Sequence, residues 1–243
     1  MVTKTIRHYI EWIKGPIMKT EELNHNGYKY LKFQYFIEDD SLALQQIKDN
    51  AKNLSGKVNP HAPDSRIREY NEIFGKNLGG LLAEYSNRKF LQEIIDENKI
   101  NAKISDPVYN SSKNQTDLII TVNGKAKTVE VRSSFSYKTT FERLFEGAFS
   151  IIGWYTTENK PAEIKKDFYI FFVHFYNPEL AKEKFENKVE TFLLGAVSKE
   201  TLEQIGQNSE LKQGSLTKFR IINPIKKAPS FDLTFNQLFD LKE

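Results

Sequence analysis

The stretch Thr116-Asp117-Leu118-Ile119-Ile120-Thr121-Val122-Asn123-Gly124-Lys125-Ala126-Lys127-Thr128-Val129-Glu130-Val131-Arg132 decides the fold. Two runs rich in β-branched residues flank Asn123-Gly124. Asn-Gly between alternating runs marks a two-residue type I′ hairpin, because that turn needs positive φ at both central positions. Counting outward from the turn pairs Val122 with Lys125, and Asp117 then lies opposite Glu130. Side chains on a strand repeat every second residue. Leu118, Ile120, Val122, Val129 and Val131 therefore share one face, which is apolar and must be core. Asp117, Glu130 and Arg132 share the other, with Gln115 opposite Arg132.

Two carboxylates directly across a ladder destabilise it unless a cation compensates. A divalent metal does so, and Mg²⁺ prefers one or two carboxylates plus water and phosphate oxygens. Such an ion orients a water nucleophile and stabilises charge at a phosphoryl centre. The competing reading leaves Asp117 and Glu130 facing solvent, neutralised by Arg132. It is disfavoured because the hairpin sits among buried-strand runs, where idle charges are costly.

Working outward, a long helical pattern spans Ser65 to about Asn98, with Gly75, Gly79 and Gly80 as weak points in its continuity. After the hairpin, Phe141, Leu144, Phe145, Ala148 and Ile152 fall at helical spacing and predict a helix over Thr140–Tyr155. Asp167–Phe175 is an apolar run of buried-strand length, read as core rather than as a base-stacking platform. A strand, a helix and a strand in that order predict a parallel crossover in an α/β fold. Before this region the pattern predicts a short helix at Ile6–Lys14, a strand at Tyr28–Ile37 and a helix at Ser41–Asn53. After it come a helix at Glu179–Asn187, a strand at Thr191–Val197, a helix at Lys199–Ile205, a strand at Lys218–Ile222 and an amphipathic end. The chain divides as residues 1–64, an N-terminal addition; 65–176, a catalytic core; and 177–243, strands and helices packed on that core.

Composition excludes several chemistries. The 243 residues are 39% hydrophobic and 28% charged, the proportions of an ordinary globular protein. Cysteine is absent, so no thiol nucleophile, disulfide scaffold or Cys-ligated metal exists. The four histidines, His8, His25, His61 and His174, show no metal-ligand spacing. A net charge of +3 permits nucleic-acid binding without arguing for it. No apolar run approaches the length of a membrane span, and Met1–Gly15 lacks a signal-peptide core, so a cytoplasmic protein is expected. No phosphate-binding G-x-x-x-x-G-K-[ST] loop is present, which excludes an ATP-driven translocase in this chain.

Asp117, twelve intervening residues and then Glu130-Val131-Arg132 resemble the signature of the PD-(D/E)XK nuclease superfamily. The order of elements from Ser65 to Tyr176 is also similar. The resemblance implies a restriction-endonuclease-like α/β core, a central mixed sheet flanked by helices. It implies that Asp117 and Glu130 hold Mg²⁺, with Mn²⁺ as a substitute, and that a helix carboxylate joins them. Glu84 is the choice for that role, over Glu69, Glu72 and Glu93. The chain departs from the family at Arg132, where lysine is usual. Arginine does not give up its proton, so Arg132 is no general base. Three readings stand: Arg132 holds the scissile phosphate, a lysine such as Lys113 or Lys138 takes the place, or the site is inactive.

Ser133, Ser134, Ser136, Tyr137 and Lys138, with Lys113 and Gln115, are the expected DNA contacts. The pairs Lys165-Lys166 and Lys226-Lys227 read as solvated surface. The resemblance is closest to a type II restriction enzyme, which implies a site-specific double-stranded DNA endonuclease. A palindromic target implies a twofold homodimer, and a restriction role implies a companion DNA methyltransferase. The alternatives are a repair, transposition or RNA-processing nuclease of the same fold, and an inactive DNA-binding protein.

Overall fold

Asn123 and Gly124 both have positive φ, 49° and 81°, and close the hairpin in the register counted from the sequence, Val122 opposite Lys125 through Leu118 opposite Val129. The computed structural model describes residues 18–36, 41–58, 60, 67–107, 116–157, 163–185, 188–213 and 215–241. The short helix expected at Ile6–Lys14, and the candidate contacts Lys113 and Gln115, lie outside them.

In chain order the strands are β1 (Met18–His25), β2 (Tyr28–Phe36), β3 (Ala102–Ser105), β4 (Leu118–Val122), β5 (Lys125–Phe135), β6 (Ile151–Thr157), β7 (Phe168–His174), β8 (Lys188–Ser198), β9 (Gln207–Gln213) and β10 (Ser215–Ile222). The helices are α1 (Ser41–Ser55), α2 (Tyr70–Asn98), α3 (Phe141–Arg143), α4 (Ala181–Lys184), α5 (Lys199–Ile205) and α6 (Phe231–Leu238). Seven strands form a mixed sheet in the order β1-β2-β8-β7-β5-β4-β3. Only the central β5–β7 pair in it is parallel, with Glu130 beside Tyr169. This is the α/β architecture with a central mixed sheet that the element order implies. β6, β10 and β9 make a second, three-stranded sheet.

Each face of the large sheet has its own core. On one, Leu118, Val129, Val131, Ile170 and Phe172 pack with Leu82, Phe90 and Leu91 of α2 and Phe235 of α6. On the other, Tyr169, Phe171 and Val173 pack with Phe145, Phe149, Ile151 and Leu202. Every residue of β7 is buried, as a central strand covered on both sides requires. The outer strand β1 is polar and carries charge pairs such as Glu22–Lys29 at 2.6 Å, which blunt an exposed edge.

α2 is continuous through its glycines over 29 residues. A Cβ on Gly75 would overlap the Pro178 carbonyl, and one on Gly79 would come within 2.5 Å of the Phe135 ring. The glycines weaken the helix locally but let it lie close against the sheet, and packing outweighs the propensity loss of about 1 kcal/mol each.

The helix expected over Thr140–Tyr155 is corrected. Helix α3 passes into one π turn, Leu144–Ala148, where Gly147 takes φ 128°. The chain then extends as β6 and pairs with β10. Ile151, Ile152, Trp154, Tyr155, Thr156 and Thr157 are β-formers, and the left-handed glycine ends the helix before them. The sequence reading also lacks β1, β3 and β9. The remaining expected elements are present with boundaries shifted by a few residues, although Glu179–Asn187 yields only a 3-10 turn at Pro178–Leu180 and the single turn α4.

Candidate active site

Asp117 is the residue immediately before β4. Its Oδ2 accepts the backbone N–H of Val131 at 2.6 Å, so the carboxylate extends the β4–β5 ladder by one bond and is held by it. Burial raises its carboxyl above the ordinary range and Glu163 adds to this, against the Val131 hydrogen bond, Arg132 and Lys166, which pull it down. Glu130 stands on β5, on the strand face that its alternation with Val129 and Val131 dictates. Burial first, and then the charge of Asp117, push its carboxyl up to about 8. Its Oε2 is buried and has no hydrogen-bond partner among the described residues.

Glu84 approaches Asp117 from α2. Its carboxyl is also pushed up to about 8, by burial and then by Asp117, with Arg88 opposing. Asp117 is thus the link among the three carboxylates selected from the sequence, its charge acting on Glu84 of α2 and on Glu130 of β5. The competing residues lie elsewhere. Glu72 pairs with Lys76 at 2.8 Å, and Glu69 is exposed at the start of α2. Glu93, nine residues or about two and a half turns along α2 from Glu84, is raised to about 7 by burial, with Lys89 opposing and Glu97 and Asp96 adding. Asn87, one turn from Glu84 and on the same side of the helix, is fully buried. Both of its amide atoms lack a partner among the described residues.

Arg132 is engaged. Its Nη2 lies 2.8 Å from both oxygens of Glu163 and 3.9 Å from Glu130 Oε1. Its guanidinium rests 5.5 Å and 5.8 Å from the ring centres of Tyr155 and Tyr169. Glu163 is in turn tied to β6, accepting the Tyr155 N–H at 3.1 Å and donating its own N–H to the Tyr155 carbonyl at 3.2 Å. The sequence reading missed Glu163, which has no partner within its own segment. It also misread the pair Lys165-Lys166. Lys165 is a surface residue bound to Glu203 at 2.7 Å, but Lys166 is only 2% exposed. A buried lysine needs negative charge, and the charge of Lys166 falls on Asp117 and Glu130.

Asp117 and Glu130 therefore feel two cations, Arg132 and Lys166, and Arg132 is shared with Glu163. Among the described residues no three histidine, aspartate or glutamate groups stand at metal-coordinating distance. The donor chemistry nevertheless fits a hard dication. Asp117 and Glu130 offer carboxylate oxygens, the Glu130 Oε2 lacks a partner among the described residues, and burial together with the Asp117 charge raises the Glu130 carboxyl, which a bound cation would offset.

Two cavities flank the end of β5. One, of about 530 Å³, is lined by Glu130, Arg132, Ser134, Phe149 and Ser150. The other, of about 620 Å³, is lined by Lys76, Ser133, Ser134, Tyr137, Lys138 and Asn177. Ser133 and Ser134 border both. Of the expected contacts, Ser133 and Ser134 thus line the cavity that Glu130 borders, whereas Tyr137 and Lys138 line the neighbouring one. Ser136 lines neither; its N–H is used on the His174 carbonyl. Lys138 lies 5.3 Å from the Tyr137 ring.

Among the described residues no helix is long and apolar enough to cross a membrane. No family model matches the chain, and no solved structure matches it. The chain is similar to the uncharacterized protein MJECS01 of Methanocaldococcus jannaschii, 28% identical over 221 residues, which cover 79% of this chain and 80% of that protein.

Proposed function

We propose that the protein is a metal-dependent nuclease that hydrolyses phosphodiester bonds in double-stranded DNA, of the site-specific restriction type. The observation that carries this reading is Asp117, pinned by the Val131 N–H beside Glu130 and close enough to Glu84 of α2 for its charge to raise both carboxyls. Asp117 and Glu130 would hold Mg²⁺, or Mn²⁺ in its place, with Glu84 as the third carboxylate. When bound, the ion supplies charge to the phosphoryl oxygens and lowers the pKa of a water. The chain's own part is preorganisation. The Val131 N–H fixes Asp117, the β4–β5 register fixes Glu130 beside it, and α2 delivers Glu84. Ser133 and Ser134 border the cavity that Glu130 lines and, with Tyr137 and Lys138 of the adjoining one, would meet a phosphate backbone.

A restriction role carries further expectations: a twofold homodimer on a palindromic site, a partner methyltransferase and a cytoplasmic location. A repair or transposition nuclease built on the same carboxylates differs only in preferring branched or damaged substrates. One observation favours a DNA-binding protein without catalysis: Arg132, at the position of the family's lysine, is held by Glu163 and not free to act on a phosphate. Incubation with unmethylated phage DNA in Mg²⁺ or EDTA separates these readings. Discrete Mg²⁺-dependent fragments, lost in Asp117→Ala and in Glu130→Ala, are the expected result. Binding with a steep salt dependence and no cleavage would establish the second reading.

A further inference from the structure

We propose that Ser150, held by Asn223, is a substrate-positioning donor that gives its hydroxyl hydrogen to a backbone phosphate oxygen of the nucleic acid in the cavity beside Glu130. The inference rests on the nuclease reading and adds to it a contact outside the signature segment.

Ser150 lies between the π turn and β6, and it lines the 530 Å³ cavity together with Glu130 and Ser134. Phe149, Ile152 and Phe171 line the same cavity, so Ser150 is a polar spot in an apolar stretch of its wall. The β6–β10 ladder ends on the pair Ile151–Ile222, and the next residues outward on the two strands are Ser150 and Asn223. Asn223 therefore stands across from Ser150. Its Nδ2 donates to the Gly147 carbonyl at 3.1 Å and to the Ser150 Oγ at 2.6 Å. The second sheet thus holds both the left-handed end of the π turn and the serine that follows it.

The direction of these bonds follows from chemistry. A carbonyl oxygen only accepts, so the Gly147 bond decides which end of the Asn223 amide faces the turn. That amide nitrogen carries two hydrogens, one for each bond. Ser150 Oγ is therefore an acceptor toward Asn223, and its own hydrogen is left to give. Among the described residues no other hydrogen bond engages this hydroxyl. With one lone pair occupied, the hydrogen turns away from the amide, and the open space that Ser150 borders is the Glu130 cavity. A hydroxyl suits a phosphodiester oxygen there, because hydrogen bonds to charged acceptors are the stronger ones. It is also the common neutral contact to a nucleic-acid backbone.

The test has two arms. The first reads binding of a labelled phage DNA fragment in EDTA across a salt series, at a temperature where every variant is folded. Ser150→Ala is expected to weaken binding about tenfold, the loss of one hydrogen bond to a charged group. The slope of log K against log salt stays unchanged, because no charge is removed. Ser150→Thr, which keeps the hydroxyl, recovers part of the loss. Asn223→Leu is expected to weaken binding about threefold in the wild type and not further in the Ser150→Ala background, where no hydroxyl is left to orient. The second arm is cleavage in Mg²⁺, where the Ser150→Ala loss should appear in KM with kcat kept within about twofold. Wild-type affinity and KM in Ser150→Ala overturn the assignment while the nuclease reading stands. Losses that add in the double variant overturn the orienting role of Asn223. A wild-type protein that neither binds nor cleaves the DNA overturns the nuclease reading and this assignment with it.

Discussion

Glu84→Gln should make the metal-free protein more stable at alkaline pH while weakening the site. Burial and the Asp117 charge move the Glu84 carboxyl from its ordinary value of 4.5 to about 8. A carboxyl with a raised folded pKa favours the fold when protonated. That contribution is full below the unfolded value near 4.5 and is lost as pH rises through about 8. Each pKa unit is worth about 1.4 kcal/mol, which bounds the penalty of the ionised group at roughly 5 kcal/mol. Partial exposure and relaxation reduce this, so a neutral isostere should gain about 1–3 kcal/mol at pH 8.5. For a chain of this length that is a rise in Tm of about 3–10 °C. The assay is a series of melts in EDTA between pH 4.5 and 9 for the wild type and Glu84→Gln. The curves should meet at the acid end and separate steadily up to about pH 8. Added Mg²⁺ at pH 8.5 should raise the wild type more than the variant and narrow the gap. A variant that melts at or below the wild-type temperature at pH 8.5 in EDTA would refute the reasoning, because the carboxylate would then not be a source of strain.

The same logic makes Mg²⁺ stabilisation pH-dependent: the gain in Tm on adding the ion should be larger at pH 8.5 than at pH 6, where Glu84 and Glu130 hold protons, and an equal gain at both would count against these ligands. His174, fully buried with its Nε2 3.0 Å from the Gly79 carbonyl, is depressed from 6.5 to about 4 by burial. Its contribution is present above 6.5 and lost as pH falls through 4, so melts of His174→Gln should lose about 1–3 kcal/mol less than the wild type between pH 7 and 4. Gly75→Ala should lower Tm sharply, because its Cβ would meet the Pro178 carbonyl, whereas Gly80→Ala, with nothing nearer than 3.9 Å, should raise stability by about 0.5–1 kcal/mol. Glu163→Gln should destabilise by about 1–3 kcal/mol, since it strips the half-buried Arg132 of its main partner, and an unchanged urea midpoint would dismiss that role.

The central hairpin was legible because its determinants are local. Asn123-Gly124 sets the turn, the turn sets the register, and the register alone puts Asp117 beside Glu130. The same signal at Asn26-Gly27, with positive φ at both residues, closes β1 on β2, but Met18–His25 carries Lys19, Glu21, Glu22 and Asn24 and lacks the apolar alternation of a half-buried strand. Its stability comes from cross-strand charge pairs such as Glu22–Lys29, which are visible only once the partner strand is known. The segment after Gly147 failed for another reason. Ile151 and Ile152 suit a helix face or a strand equally, and pairing with β10, about seventy residues later, decides between them.

The site divides along the same line. Its signature carboxylates lie on adjacent antiparallel strands, where a count of residues suffices. Its cations and its fourth carboxylate depend on the parallel β5–β7 pairing and on β6, and no local rule gives the register of a parallel crossover. Glu163 and Lys166 are three residues apart, yet one anchors Arg132 and the other serves the carboxylates. The Tyr155 backbone holds Glu163, and the clamp of Asp167 on Thr128 fixes the entry of β7. This gives the departure at Arg132 a physical meaning. In this sheet the position two residues after Glu130 lies between Tyr155 and Tyr169 and against Glu163, an environment that suits a planar, permanently charged guanidinium better than an amine. The sequence shows only an arginine on the polar face of β5, whereas the sheet makes it the counter-ion of Glu163, a carboxylate brought in from the far end of β6.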